Sequence, residues 1–145
     1  SLTNGSCREG GKSATLVDGT KGMPEILVCR LESAVGSAAT TGRELNLYFG
    51  ESDSSTAGTN NPGNLTGADA GLSTPTELLA QLGFAGSLSF SNTRGTNVQK
   101  AVLFYWPKLP YIIPVLYNDT GQTLSGTAGN HTLSATPYYR RTPIA

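Results

Sequence analysis

The sequence predicts an all-β sandwich of six to eight strands with one short helix, forming a single domain over residues 1–145. Two observations carry this reading. Short segments alternate apolar and polar residues, and Gly, Pro or Asn clusters separate them. Only one stretch has a helix-start pattern. Composition agrees: 37% of residues are hydrophobic and only 14% charged, so Ser, Thr, Asn and Gly must cover the surface. Such a balance suits a β-rich extracellular protein and is too apolar for a disordered chain. The length suffices to bury a core without metals or many disulfides.

Residues 1–24 are polar and Gly-rich. Glu25–Leu31 (EILVCRL) is aliphatic on both faces, as a central strand would be. Arg43–Phe49 alternates: Leu45, Leu47 and Phe49 face one way, and Glu44, Asn46 and Tyr48 the other. Gly50–Gly71 reads as a long polar loop around the turn Asn60-Asn61-Pro62-Gly63, and loops of that length are often functional or mobile. In Thr74-Pro75-Thr76-Glu77, Thr74 can cap, Pro75 fits the first helical position and Glu77 completes a capping box. Leu78, Leu79 and Leu82 follow, and Gly83 can end the helix. Gly86–Ser91 is a strand with Leu88 and Phe90 on one face, and Asn92–Thr96 a turn. Ala101–Trp106 and Tyr111–Tyr117 are apolar strands bounded by Pro107 and Pro110, which place them at an edge or at a switch between sheets. Thr132–Tyr139 is the last strand, with Leu133, Ala135 and Tyr139 on one face.

Formal net charge is zero and there is no basic stripe, which argues against a nucleic-acid partner. The pair Arg140-Arg141 reads as a solvated tail. No apolar run approaches the roughly 18–20 residues of a membrane-spanning helix. The chain begins at Ser1 with no signal-peptide pattern, as a mature or trimmed product would. Cys7 and Cys29 are the only cysteines, and with the lone His131 they fit no zinc spacing. An oxidising compartment favours a Cys7–Cys29 disulfide, closing a loop of about 22 residues and worth roughly 3 kcal/mol in the chain-entropy model. Two free buried thiols are the alternative.

No catalytic motif, metal site or cofactor motif is present. Gly10-Gly11-Lys12-Ser13 resembles the end of a phosphate-binding loop, but Ser6 stands where its first glycine belongs and no strand precedes it. His131 reads as an exposed turn residue beside Gly129 and Asn130. Asn-x-Ser/Thr sequons occur at Asn4, Asn64, Asn118 and Asn130. Aromatic residues gather at Phe104, Tyr105, Trp106, Tyr111 and Tyr117, either as core or as a platform for a sugar ring or protein partner. Tyr105, Trp106 and Tyr111, with Asn60 and Asn61 of the long loop, are the candidate ligand contacts.

The segment Ile113–Arg140 resembles the C-terminal end of chaperone–usher fimbrial subunits. The matching pieces are Ile113-Pro114-Val115-Leu116-Tyr117, Thr120-Gly121, the turn Gly126-Thr127-Ala128-Gly129-Asn130, and the alternating strand Leu133–Tyr139. Trp106-Pro107, Tyr111 and Pro114-Val115 also resemble the lectin domains of two-domain tip adhesins. Cys7 and Cys29 would fill the family's two cysteine positions. The resemblance implies an immunoglobulin-like, pilin-like sandwich that may lack one strand, completed by a neighbour's strand through β-augmentation. It implies export through the periplasm to a bacterial fimbrium. The implied partners are a neighbouring fibre subunit or an assembly chaperone, and a host or surface receptor, glycans included. The expected function is therefore a non-enzymatic fimbrial subunit or tip adhesin. Two rival readings stand beside it: a viral structural or receptor-binding domain, and a secreted carbohydrate-binding module or glycan-acting enzyme with a pocket joining a carboxylate to Tyr105 or Trp106.

Overall fold

A computed structural model describes residues 1–73 and 75–140. The strands are β1 (Cys7–Glu9), β2 (Ile26–Ser33), β3 (Glu44–Ser52), β4 (Ala70–Leu72), β5 (Gly83–Ser89), β6 (Gln99–Tyr105), β7 (Tyr111–Asp119) and β8 (Thr132–Tyr138). One short helix, α1, spans Pro75–Leu79, and a 3₁₀ turn spans Asn92–Arg94. Thr74, expected from the sequence to cap the helix, and Arg141 of the expected tail lie outside the described residues. The strands form two antiparallel sheets, one ordered β4-β1-β7-β3-β5 and the other β6-β2-β8. The molecule is a β-sandwich.

The alternation in β3 sets the layers. Leu45, Leu47 and Phe49 point into the sandwich and meet Leu27, Cys29 and Leu31 of β2 and Leu103 and Tyr105 of β6. The opposite face of the five-stranded sheet has its own core. Cys7, Ile113 and Val115 pack there beneath Leu65 of the long loop and Leu78 of α1. Loop and helix thus form a third layer outside the larger sheet, and the loop is a packed cover for that sheet.

This layering corrects the expected disulfide. Cys7 and Cys29 are both free and buried. Cys7 pairs in register with Tyr117 on the outer face of the larger sheet, while Cys29 lies in the core between the sheets. A sheet separates the two thiols, so no rotamer change can join them.

The prolines do what their chemistry allows. Pro107 and Pro110 lie in the connection that carries the chain from β6 in one sheet to β7 in the other, the expected switch. Pro114 sits inside the central strand β7, opposite Phe49. Its carbonyl accepts from Gly10 N at 2.8 Å, just past the end of β1, so the N–H it lacks falls where the β1 ladder has stopped.

The two long sides of the sandwich differ. Between β5 and β6 the sheets close tightly. A side chain at Gly83 would collide with the Tyr105 ring, and a Cβ at Gly86, where φ is +138°, would lie 2.9 Å from Leu103 Cδ2. The opposite side, between β8 and β1, is open.

Candidate functional site

On the open side the larger sheet overhangs the smaller one. β1 and β4 extend the larger sheet beyond β7, whereas the smaller sheet stops at β8. Register puts Leu133, Ala135 and Pro137 of β8 on the core-facing side, opposite Leu31, Cys29 and Leu27. Even so, Ala135 and Pro137 are exposed and Leu133 only half-buried. Apart from the β2–β8 ladder, no described residue from 132 to 137 makes a backbone–backbone hydrogen bond. β8 is therefore an unpaired edge with an uncovered apolar inner row, the kind of edge that templates another strand.

A cleft of about 210 Å³ runs beneath this edge, lined by Leu31, Pro114, Leu116 and Leu133, with Arg8, Asp69 and His131 at its rim. A hollow of about 490 Å³ continues from it past Leu116 and His131 to Leu124 and the Gly126–Gly129 turn. Arg8 is paired with Leu116 and lies on the inner face of the overhang. Its guanidinium grips Asp69 in a fork at 2.7 and 2.9 Å. The bond to Arg8 holds the Asp69 carboxyl below the usual carboxylate range. Both side chains are hydrated, so the pair marks the cleft rim more than it stabilises the fold.

His131 closes one end of the cleft, and the expectation of an exposed turn residue is corrected. It is half-buried opposite Ser33, with Nδ1 2.8 Å from Ser33 Oγ and Nε2 2.7 Å from the Ser125 carbonyl. A carbonyl only accepts, so Nε2 carries the proton and the Ser33 hydroxyl donates to Nδ1. Ser33 is fully buried and, among the described residues, no carboxylate bonds either ring nitrogen, so the described Ser–His pair acts as a clamp.

The candidate contact residues are dispersed. Strand pleating sends Tyr105 into the core, its ring 4.8 Å from Phe49, and Trp106, just beyond the end of β6, is exposed. Tyr111 pairs with Ser52 in the larger sheet. Asn60 Nδ2 donates to Asp53 at 2.8 Å, and Asn61 Nδ2 to the carbonyls of Ala57 and Leu65 at 2.6 and 2.8 Å. These amides brace the long loop. Glu51 does lie against Tyr105, in a hollow of about 530 Å³. Its carboxylate accepts from Tyr105 Oη at 2.5 Å and from the amides of Lys108 and Leu109 at 2.8 and 2.7 Å. Those bonds fix the β6–β7 connection. Burial, then the bond to Glu51, raises the Tyr105 phenol. Of the four sequons, Asn118 is fully buried, and its Nδ2 donates to the Leu2 and Gln122 carbonyls, both at 2.8 Å.

Two charged residues that the sequence does not single out as a pair organise the loop. Glu9, fully buried, accepts from Thr66 N, Thr66 Oγ1 and Gly67 N at 2.6–3.1 Å. Lys12 Nζ donates to Ser52 Oγ and to the carbonyls of Ser54, Thr56 and Thr59 at 2.8–3.0 Å. The lysine of the phosphate-loop look-alike is thus engaged by its own chain. Desolvation lowers its ammonium, with Asp53 acting in the opposite direction. Lys12→Met is expected to cost about 1–2 kcal/mol, because the three carbonyls can rehydrate at the surface. Amides of residues 53–61 should exchange with deuterium at least tenfold faster in this variant. Unchanged exchange would mean that the loop holds its shape without the ammonium.

No protein-family model, curated protein or solved structure matches this chain.

Proposed function

We propose that this chain is an extracellular fimbrial subunit or tip domain of a bacterial surface fibre. In this reading it joins a neighbouring subunit or an assembly chaperone by accepting an extended strand along β8. The observation that carries the reading is the open β8 edge, with Leu133, Ala135 and Pro137 uncovered above an apolar cleft. An added strand would bond the free side of β8 through its backbone and turn alternate apolar side chains down toward Leu31 and Leu116. The β5 and β6 edges meet on the sealed side and the β4 edge is only three residues long, so the reading names β8 as the acceptor. The resemblance of residues 113–140 to fimbrial subunits supports the same conclusion from sequence.

The test uses a ten-residue peptide alternating Val and Thr with lysines at both ends, and a control with prolines at alternate positions. At a hundredfold excess over its dissociation constant, the first peptide should stabilise the domain by about 2.7 kcal/mol. The melting temperature should then rise by roughly 5–10 °C. Protection from deuterium exchange should be confined to residues 132–138. The proline peptide should do nothing, since it cannot donate to the ladder. An unchanged melting temperature and unprotected β8 amides would refute the reading. A discrete oligomer that ignores the peptide would favour the viral structural alternative.

A further inference from the structure

We infer that the outer face of the three-stranded sheet is a second binding surface, a flat platform for a neutral oligosaccharide. Register places Phe104 and Val102 of β6 in one row and Thr136 and Tyr138 of β8 in another, with Val28 of β2 between them, and Trp106 follows directly after the last residue of β6. The strand positions alternate with the core residues and so point away from the sandwich, and Trp106 just beyond the strand is exposed as well. Trp106 is 61% exposed, Val102 59%, Tyr138 56% and Phe104 49%. Large apolar side chains at such exposure on adjacent strands form a patch, where scattered single ones would need no explanation.

Size and charge choose the occupant. Three strands about 4.8 Å apart and about five residues long give a face of roughly 200–300 Å². A stable dimer needs about 800 Å² per partner, so a second copy would bury too little here. The neighbouring charges nearly cancel: Arg30 and Lys100 share the one carboxylate of Glu32, at 2.7 and 3.3 Å, which leaves a single positive charge and no strong field to select a highly charged ligand. Three aromatic rings beside the hydroxyl of Thr136 suit a ligand with flat C–H faces and a polar rim, which is the chemistry of a pyranose ring. Phe104 and Trp106 are two residues apart at the end of β6, about 7 Å in extended chain, and Tyr138 stands about 10 Å across the sheet, so a chain of two or three sugars would touch all three rings.

Trp106 is the only tryptophan, so its fluorescence reports on this face alone. The intact chain would be titrated with cellohexaose, chitohexaose and mannohexaose and followed by emission and by calorimetry. One series should quench and blue-shift Trp106. In calorimetry, Trp106→Ala and Phe104→Ala should each weaken binding at least tenfold, with a melting temperature within a few degrees of the parent. The same variants should keep the peptide response of β8, so failure here and failure of the strand-acceptor reading are separately visible. No response to any of the three sugars would overturn the inference. So would concentration-dependent self-association that shields Trp106 from a soluble quencher, which would assign the face to a second copy.

Discussion

Glu9→Ala is expected to destabilise the domain by roughly 3–5 kcal/mol, the cost of leaving buried donors without their acceptor. Glu9 is fully exposed to this loss because it is fully buried and carries three donors at once. The substitution leaves the amides of Thr66 and Gly67 without an acceptor in a space that water reaches poorly, and each orphan costs about 1–3 kcal/mol. The Thr66 hydroxyl can turn elsewhere, so it adds less. The effect should not stay local. The segment that Glu9 anchors carries Leu65, which packs with Ile113, Val115 and Cys7 on the outer core. Glu9→Gln keeps the volume but offers one acceptor oxygen and sets an NH₂ group against an amide N–H, so about 1–3 kcal/mol is expected. Urea denaturation measures both. The midpoint should fall in the order parent, Gln, Ala, with an unchanged slope. An Ala variant that unfolds at the parent's urea concentration would show that the loop layer contributes nothing to global stability.

Stability should also fall steeply in alkali. Burial pushes the Cys7 and Cys29 thiols from 9.0 to about 11. Below about pH 8 both thiols are protonated in the folded and the unfolded chain, so they contribute no pH dependence there. Between pH 9 and 11 the unfolded chain releases two protons that the folded chain retains, and folding becomes less favourable. At pH 11, where the folded thiols are half ionised, each has removed about 2.3 kcal/mol, together between about 4 and 5 kcal/mol. That is comparable with the whole stability of a modest domain. Tyr105 is raised as well and acts in the same direction at higher pH. Melting curves under reductant at pH 7, 9, 10 and 11 should show little change to pH 9 and a collapse thereafter. Cys7→Ala with Cys29→Ala should flatten this dependence, although the variant starts lower at neutral pH. A double variant that loses stability as fast as the parent would place the alkaline sensitivity elsewhere.

How far the sequence reveals this molecule depends on the range of the interaction involved. β3 is legible because alternation over Leu45, Leu47 and Phe49 is a local consequence of the pleat. β1 and β4 are not, since each is three residues long in polar, Gly-rich surroundings and exists only through its partners. The same pleat splits the run Phe104-Tyr105-Trp106, and period two alone would have sent Tyr105 inward and its neighbours outward. The disulfide expectation fails because spacing along the chain does not reveal which face of a sheet a cysteine occupies. Glu9 and Lys12 reach across 57 and 42 residues to partners that are mostly backbone, and backbone leaves no mark in a sequence. The open edge is legible only in part. Leu133 and Ala135 read as core-facing, but their exposure depends on the sheet ending at β8, which is a fact of topology.

The pairing of β2 fixes a timetable for synthesis. Its only partners, β6 and β8, begin at Gln99 and Thr132. From the moment β2 leaves the ribosome, about seventy further residues must follow before any strand can pair with its backbone, although β3 can pack on its core face sooner. At 5–20 residues per second that is a delay of several seconds. Through that interval the nascent chain displays an aliphatic, strand-forming segment of low charge, the signature of an aggregation-prone window. Non-local pairing of this kind also makes for slow folding after release. The last third of the chain is therefore the part on which the first third waits, and a holding factor that covers residues 26–33 would find its substrate in every newly made copy.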